Sequence, residues 1–406
     1  MNTRERSDAA LLEQNILLKK LDRTLLITVA MIILLGLLFI YSATKPSELL
    51  TATEAVSSGD NLFASVKKQL IMVMLGTGMM IMMLFMQYED LLKHVKFLYV
   101  LNLIMLGAVL IVGDSAMGAQ RWIAIGPNQF FRFQPSEFSK LLIIICFAAF
   151  LNSRSNKLSR LRDLLPCFAY IGVPVLLVLK QPDLGTALVY VAIMIGMLFV
   201  AGARPWLLTG IIGGGIGTVS LWIWAHFWLA ANRGFELWIP LQEYQLKRLI
   251  IFLDPWKEPL GAGYNVIQSQ IAIGQGGFWG RGLFNGSQTH GDFLPIQETD
   301  FIFSVVGEEL GFIGGSFLLI LFFIVIYRCI LIAINARDRF GSLLAAGIMS
   351  MLTVHVLINV GMNIGIMPIT GIPLPMFSYG GSSMITNLTA LGLLLNINMR
   401  RKKILF

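Results

Sequence analysis

Charge is what this sequence lacks most. Asp, Glu, Lys and Arg make up 13% of its 406 residues, about half the share of an ordinary soluble domain, while 56% of the chain is hydrophobic. The apolar runs are longer than core helices need, so the chain reads as a multi-span membrane protein. Cysteine is scarce too. Cys146, Cys167 and Cys329 each fall within or at the edge of an apolar run, which suits small packing residues and excludes a disulfide framework. The four histidines, His94, His226, His290 and His355, are scattered, with no HxxxH spacing and no Cys/His pairs, so a zinc site is not expected. A cleavable signal peptide is missing: the first apolar run begins only at Leu25, has no small-residue cleavage site and is long enough to stay as an anchor. There is no solenoid-length repeat and no low-complexity tract. The net charge of +8 does not imply nucleic-acid binding, because its Lys and Arg residues gather at the ends of apolar runs, as the positive-inside rule requires.

The fold expected is an all-α polytopic membrane protein of ten spans, at 24–43, 69–87, 97–113, 137–151, 165–179, 184–201, 206–228, 301–327, 341–364 and 384–398, each close to bilayer length. The fourth, fifth and tenth are short enough to be tilted or partly buried. Residues 1–23 read as an interfacial cytoplasmic helix and 399–406 as a basic cytoplasmic tail. An even span count, with Lys and Arg concentrated in the alternate segments, puts both termini in the cytoplasm. The loop 229–300 then faces outward. Its length and aromatic content mark it as a structured, functional loop, helical at Tyr244–Leu253 and Tyr264–Ile273. The run Gly213–Gly217 suggests a close helix contact or a kink.

Four polar clusters fall toward the outward side. In Leu294–Gly311, Asp300 stands where a polar loop becomes an apolar helix, with Glu308 and Glu309 two turns on. A carboxylate near hydrocarbon is a functional candidate, and Asp300, Ser304, Gly307 and Gly311 share one helical face, a small-residue groove leading into the bilayer. The plain alternative is that Asp300 caps the helix. The second cluster, Gln134 to Lys140, pairs Glu137 with Lys140 at a spacing of three; a structural ion pair is the competing reading. The third, Lys180 to Thr186, holds Asp183, which suits a cap. The fourth runs from His355 to Ser383. His355, Asn359 and Asn363 form a stripe open to either interhelical bonding or ligand contact. Prolines and glycines then forbid regular helix until Ser378-Tyr379-Gly380-Gly381-Ser382-Ser383. That last stretch fits an anion site at a helix start as well as a simple turn and cap. Arg121, Lys247, Arg248 and Arg281 add positive charge, either as a solvated face or as phosphate steering.

The stretches NVGMNIGIMPITGIPLPMFSYGGSS (Asn359–Ser383), FQPSEFSKL (Phe133–Leu141), QPDLGTAL (Gln181–Leu188), LDPWKEPLGAGYNVIQSQIAIGQGGFWGRG (Leu253–Gly282) and TDFIFSVVGEELG (Thr299–Gly311) resemble the SEDS family, the shape, elongation, division and sporulation proteins. The likeness covers nearly the whole chain outside 1–23 and 44–67, and GYNVIQSQIAIG resembles the elongation members more than the division members. The resemblance implies a peptidoglycan glycosyltransferase of the bacterial inner membrane. Such an enzyme polymerises lipid II onto an undecaprenyl-pyrophosphate-linked glycan, alongside a class B penicillin-binding protein and the elongation machinery. It maps the essential carboxylate onto Asp300 and a buried polar pair onto Glu137 and Lys140. Substrate-binding or supporting roles are expected for Arg121, Gln134, Asp183, Thr186, Arg248, Gln268, Ser304, Glu308, Asn359, Ser378, Gly380, Gly381, Ser382 and Ser383. A possible divalent cation, Mg or Mn, is left open. Gln297 and Glu298 depart from the basic or His residues that relatives often carry there, and a second acid beside Asp300 would shift its pKa. A lipid II flippase and a non-catalytic scaffold are the alternative functions.

Overall fold

The computed structural model describes residues 20–45, 52–116, 119–125, 131–154, 158–235, 237–238, 243–261, 263–291 and 293–401. The expected interfacial helix of 1–23 and the end of the basic tail lie outside these, apart from their last and first residues. Each expected span corresponds to one helix: α1 Arg23–Thr44, α2 Ala52–Phe85, α3 Val95–Val112, α4 Pro135–Asn152, α5 Leu161–Lys180, α6 Leu184–Val200 and α7 Pro205–Arg233. After a loop bearing α8 Glu243–Leu253, α9 Tyr264–Gly276 and α10 Ser287–His290 come α11 Ile302–Asn335, α12 Arg339–Asn363 and α13 Gly381–Met399. Eight of these are long and apolar enough to cross a membrane, and α6 is a shorter apolar helix. The tenth, α13, is too rich in Ser, Thr and Asn to read as a span by hydropathy, and every residue from Ser382 to Met399 is buried. Protein, and not lipid, surrounds it.

Small residues bring the helices close. A Cβ on Gly392 would lie 2.5 Å from the Met80 carbonyl oxygen, and one on Gly76 would meet Leu388 at 2.7 Å, so α2 and α13 pack backbone to backbone. At the far end Asn396 donates to the Met83 carbonyl at 2.5 Å and to that of Met86, satisfying orphan carbonyls at the α2 terminus. Two boundaries differ most from expectation. Helix α2 starts at Ala52, because the polar stretch before residue 69 continues the helix. Helix α11 runs to Asn335, because the apolar run resumes after Arg328, whose guanidinium pairs with Asp22 at 2.6 Å.

Three further features depart from the sequence reading. A small antiparallel sheet, β1 Asp114–Ala116, β2 Ala119–Ile125 and β3 Phe131–Phe133, links α3 to α4 in the order β1-β2-β3. Helix α7 runs unbroken through Gly213–Gly217, and nothing lies within 4 Å of a Cβ at Gly213, Gly214, Gly215 or Gly217. The expected kink or close contact is therefore wrong: α7 touches the bundle through Leu207 and Leu208 near its start, and those glycines face outward. Helix α11 is broken at Gly311 (φ 64°, ψ −158°). The backbone freed there pairs with the loop after α9. Arg281 and Gly282 amides donate to the Glu308 and Glu309 carbonyls at 3.0 and 2.9 Å, and the Phe312 amide donates to Gly277 at 2.9 Å. Irregular backbone at membrane depth survives when protein buries it in this way.

Candidate active site

Asp300 lies just ahead of α11, and three consecutive carbonyls around it are each held by a different group. The Tyr379 amide donates to the Glu298 carbonyl at 2.9 Å. Ser378 Oγ donates to the Thr299 carbonyl at 2.7 Å. Asn359 Nδ2 and Asn363 Nδ2 both donate to the Asp300 carbonyl, each at 3.0 Å. The α11 cap is Phe301, with no side-chain capping bond, so the capping role considered for Asp300 is not what its carboxylate does.

That carboxylate is half-buried and faces a wall at Gly371, where an added Cβ would sit 3.4 Å from Oδ2. Gly371 has φ +76°, which favours glycine, so the close wall and the turn need the same residue. Burial pushes the Asp300 carboxyl up to about 6. The Arg248 guanidinium opposes this most, then a Thr299 hydrogen bond and Arg121, while Glu298 raises it further, as the sequence anticipates for a neighbouring acid. Both arginines are tied down. Arg248 Nη1 donates to the Ile369 carbonyl at 3.3 Å. Arg121, on β2, donates to the Gln181 and Pro182 carbonyls and lies 3.9 Å from Asp183. Asp183 caps α6 through the Thr186 amide at 3.1 Å and its hydroxyl at 2.9 Å. Asp183 and Thr186 thus act as the mount for Arg121.

One layer deeper, Lys140 Nζ donates to Glu137 at 2.7 Å and to His355 Nε2 at 3.0 Å, with all three residues buried. The pairing offsets part of the penalty of burying each charge. His355 is one helical turn, about 6 Å, from Asn359 along α12, so the stripe read from the sequence joins the ion pair to the Asp300 backbone.

Several expected site residues do other work. Helix α9 packs into the groove drawn along Ser304, Gly307 and Gly311 without filling it. A Cβ on Gly276 would fall 1.9 Å from the Gly307 carbonyl oxygen, and Ser304 Oγ bonds Asn363 and Ser269 at 2.5 Å. Helix α11 also breaks where that face was to continue. An apolar cavity of about 290 Å³ remains beside the break, lined by Phe303, Gly307, Gly311, Gly315 and Ile364 among others. Glu308 accepts from the Gln288 and Thr289 amides at 2.8 and 3.1 Å, capping α10 and holding the loop. In the Ser378–Ser383 stretch the Gly380 amide donates to Gln69 Oε1, and Gln69 Nε2 donates to the Ser378 carbonyl, both at 3.2 Å. Ser382 Oγ accepts from the Gln134 amide at 3.0 Å, and Ser383 accepts from Asn387 at 3.1 Å. These polar groups are engaged within the protein, and Gly381 opens α13; the segment braces the Asp300 backbone. Gln268 is half-buried on α9. Gln69 and Ser269 were not singled out from the sequence; the one available signal is a polar residue at the lip of an apolar run. Among the described residues no group of three or more His, Cys, Asp or Glu is placed to hold a metal ion. The donor set at Asp300, an acid flanked by two arginines, does not fit a resident Mg or Mn.

Comparison with known proteins places this architecture. Residues 22–403 match the cell cycle protein family model built on FtsW, RodA and SpoVE. Stage V sporulation protein E of Bacillus subtilis is 38% identical over 93% of this chain and 96% of its own. The peptidoglycan glycosyltransferase MrdB of Escherichia coli is 39% identical over 75% of this chain and 78% of its own. A chain from a structure describing coordinated polymerization and crosslinking by a peptidoglycan synthase complex superposes with TM-score 0.72 at 30% identity, covering 93% of this chain and 97% of that one. Matched over almost its whole length, with relatives well above the identity at which kinship is certain, this chain belongs to the FtsW, RodA and SpoVE family.

Proposed function

We propose that this protein is a peptidoglycan glycosyltransferase that polymerises lipid II, with Asp300 as general base. The observation that carries the reading is the environment of Asp300, a half-buried carboxylate raised to about 6 at a glycine-walled mouth and flanked by Arg248 and Arg121. At neutral pH such a group is ionised yet basic enough to accept a proton, the match that general-base catalysis needs. The 4-hydroxyl of lipid II attacks the anomeric carbon of the glycan donor as Asp300 takes the hydroxyl proton. The bond from that carbon to the pyrophosphate oxygen breaks, and its electron pair leaves with undecaprenyl pyrophosphate. Arg248 and Arg121 stabilise the charge developing there. A single displacement inverts the anomeric centre.

The charge distribution supports a bacterial inner-membrane protein with both termini cytoplasmic and the Asp300 end outside. The α9 wording supports a RodA-type role in elongation. The synthase complex supports a crosslinking partner of the class B penicillin-binding protein type. The flippase alternative requires polar groups along the whole path. Past Lys140 and His355, α4 and α12 bring in no further buried charge among the described residues; Ile143, Ile144, Phe147, Met351, Ile348 and Leu344 are buried there beside Ser350, which favours chemistry at one face. The test is purified Asp300→Asn protein with labelled lipid II in detergent: glycan should not form. Polymerisation at the parent rate would refute the role.

A further inference from the structure

The structure leaves one question about Asp300: what frees its carboxylate from the usual duty of an acid at a helix start. Helix α11 has no capping side chain of its own, since Phe301 occupies the cap position. The first-turn amide that a cap would satisfy is that of Ser304, and it donates to Asn363 Oδ1 at 3.2 Å. Asn363 lies at the end of α12, so α11 is capped in trans by a neighbouring helix. The same side chain does more. Its Oδ1 also accepts from Ser304 Oγ at 2.5 Å, and its Nδ2 donates to the Asp300 carbonyl at 3.0 Å and to the Asn359 carbonyl at 2.8 Å. An Asn side chain offers two donor hydrogens and two acceptor sites, and all four are used. Asn363 is fully buried. It therefore has no capacity left for substrate, and a role in ligand contact is ruled out by its own bonding. Its backbone carbonyl accepts from Ser269 Oγ at 2.8 Å, and Ser269 in turn meets Ser304 Oγ at 2.5 Å. The loop helix α9 is stitched to the same point.

We propose that Asn363 is the positioning residue for the base: it caps α11 in place of Asp300, anchors the Asp300 carbonyl, and links both to the docking of α9, so that the carboxylate is held toward the mouth through its backbone and is not spent on capping the helix. The inference rests on Asp300 being the base. Asp would lose both donors, and Ala or Leu would leave the Asp300 carbonyl to Asn359 alone and the Ser304 amide to the Phe301 carbonyl alone.

A cap that only stabilises the fold and a residue that positions the base differ in what they change. Loss of stability lowers the amount of active protein equally at every pH. Loss of position lets the Asp300 backbone relax and water reach the carboxylate. Burial is the main cause of its raised pKa, set against Arg248 on α8, Arg121 on β2 and the adjacent Glu298, so the acid limb of the rate profile moves down. The experiment is the initial rate of polymerisation of labelled lipid II by the full-length protein in detergent, between pH 5 and 9, for the parent, Asn363→Ala, Ser304→Ala and Asp300→Asn. Asn363→Ala is expected to lower kcat by about 10- to 100-fold, the range typical of a misplaced catalytic group, with KM within about threefold, and to move the acid-limb midpoint below that of the parent. Ser304→Ala, a single hydroxyl deletion, is expected to show the same signature at smaller amplitude and decides the matter if Asn363→Ala does not fold. A parent-like rate and limb in these variants, or a loss uniform across pH with the limb unmoved, overturns the positioning role while an inactive Asp300→Asn leaves the base assignment standing. Polymerisation by Asp300→Asn at the parent rate overturns both.

Discussion

The rate of this enzyme should follow the ionisation of Asp300, and Arg248 should set where that happens. Asp300 sits at about 6 because burial outweighs the cations around it, and Arg248 is the strongest opposing influence. With a base of that pKa, roughly half of the molecules are active at pH 6, about a tenth at pH 5 and about nine-tenths at pH 7. The parent should therefore lose close to tenfold in rate between pH 7 and pH 5. Arg248→Ala removes a neighbouring positive charge, a change that moves a carboxyl by about 1–3 units; at a half-open mouth about one unit is the reasonable size. The midpoint should rise to about 7. At pH 6 the active fraction then falls from about one-half to about one-tenth, a roughly fivefold loss beyond whatever Arg248 contributes to the leaving pyrophosphate. The two contributions separate cleanly, since the leaving-group loss persists at pH 8.5 and the ionisation loss does not. Glu298→Gln should shift the midpoint the other way, because Glu298 raises Asp300. Initial rates of lipid II polymerisation in detergent across pH 5–9 measure all three profiles. An Arg248→Ala limb that stays in place, or moves to lower pH, would refute the electrostatic account of the site.

Asp300 should also cost the protein stability. Its folded pKa is raised above the ordinary carboxylate value of 3.8, so the folded state holds its proton where the unfolded state has lost it, and stability falls as pH rises from about 4 through about 6. Two units correspond to a ceiling of about 3 kcal/mol, reduced at a half-open site to roughly 1–2 kcal/mol. Asp300→Asn should accordingly melt at a higher temperature than the parent at pH 8, with the difference vanishing at pH 4 in paired thermal melts. Gly276→Ala would set a Cβ 1.9 Å from the Gly307 carbonyl oxygen; α9 should lift away, with faster hydrogen exchange across 264–276 and at least a tenfold loss of polymerisation. Lys140→Met leaves Glu137 charged and unpaired, expected to cost about 3–5 kcal/mol. Adding Glu137→Gln should recover most of the melting temperature, and a double variant no more stable than the single would show that the pair is not the reason the single falls.

The spans were legible because hydrocarbon content and helix length are properties of composition, and a bilayer demands both. Asp300 was legible for a related reason: an acid at the edge of an apolar run stands out against its neighbours. What the sequence could not show was which polar residues face each other. Ser378 to Ser383 has the composition of an anion site, yet its partner Gln69 is more than three hundred positions away, and only that contact reveals a brace. Glu308 and Asp300 look alike as acids near a helix start. They diverge because a three-dimensional neighbour, the α10 backbone, claims one of them and not the other. The groove along Gly307 was legible only in part, for the same reason in reverse: Gly307 and Gly311 do line an apolar cavity, but one narrowed by a neighbour. Small residues mark a close approach without naming what approaches, and here the visitor is α9. The break at Gly311 is invisible to periodicity, since the apolar pattern runs straight through it.

These errors share a direction, and the direction says something about how the site is made. Nearly every polar group near Asp300 is bonded to backbone: Tyr379, Ser378, Asn359 and Asn363 hold three successive carbonyls, and Arg248 and Arg121 are fastened to the carbonyls of Ile369, Gln181 and Pro182. A base proposed to act on a bulky lipid-linked sugar is better held by its main chain than by its carboxylate, because each bond to the carboxylate competes with the incoming proton and a charge-assisted bond is worth about 1.5–3 kcal/mol; Thr299 supplies one such bond here. Holding the main chain fixes the direction of the side chain while leaving most of its acceptor capacity free, and it satisfies loop carbonyls ahead of the helix that would otherwise go unpaired. The same choice explains why the neighbouring charges act at a distance: Arg248 and Arg121 tune the carboxyl while anchored elsewhere. A variant that gave Asp300 a further direct partner, such as Gly371→Ser beside Oδ2, should therefore bind the carboxylate, lower its pKa and slow polymerisation at every pH, although it adds a hydrogen bond to the site. Faster turnover from that substitution would mean that the open carboxylate is incidental.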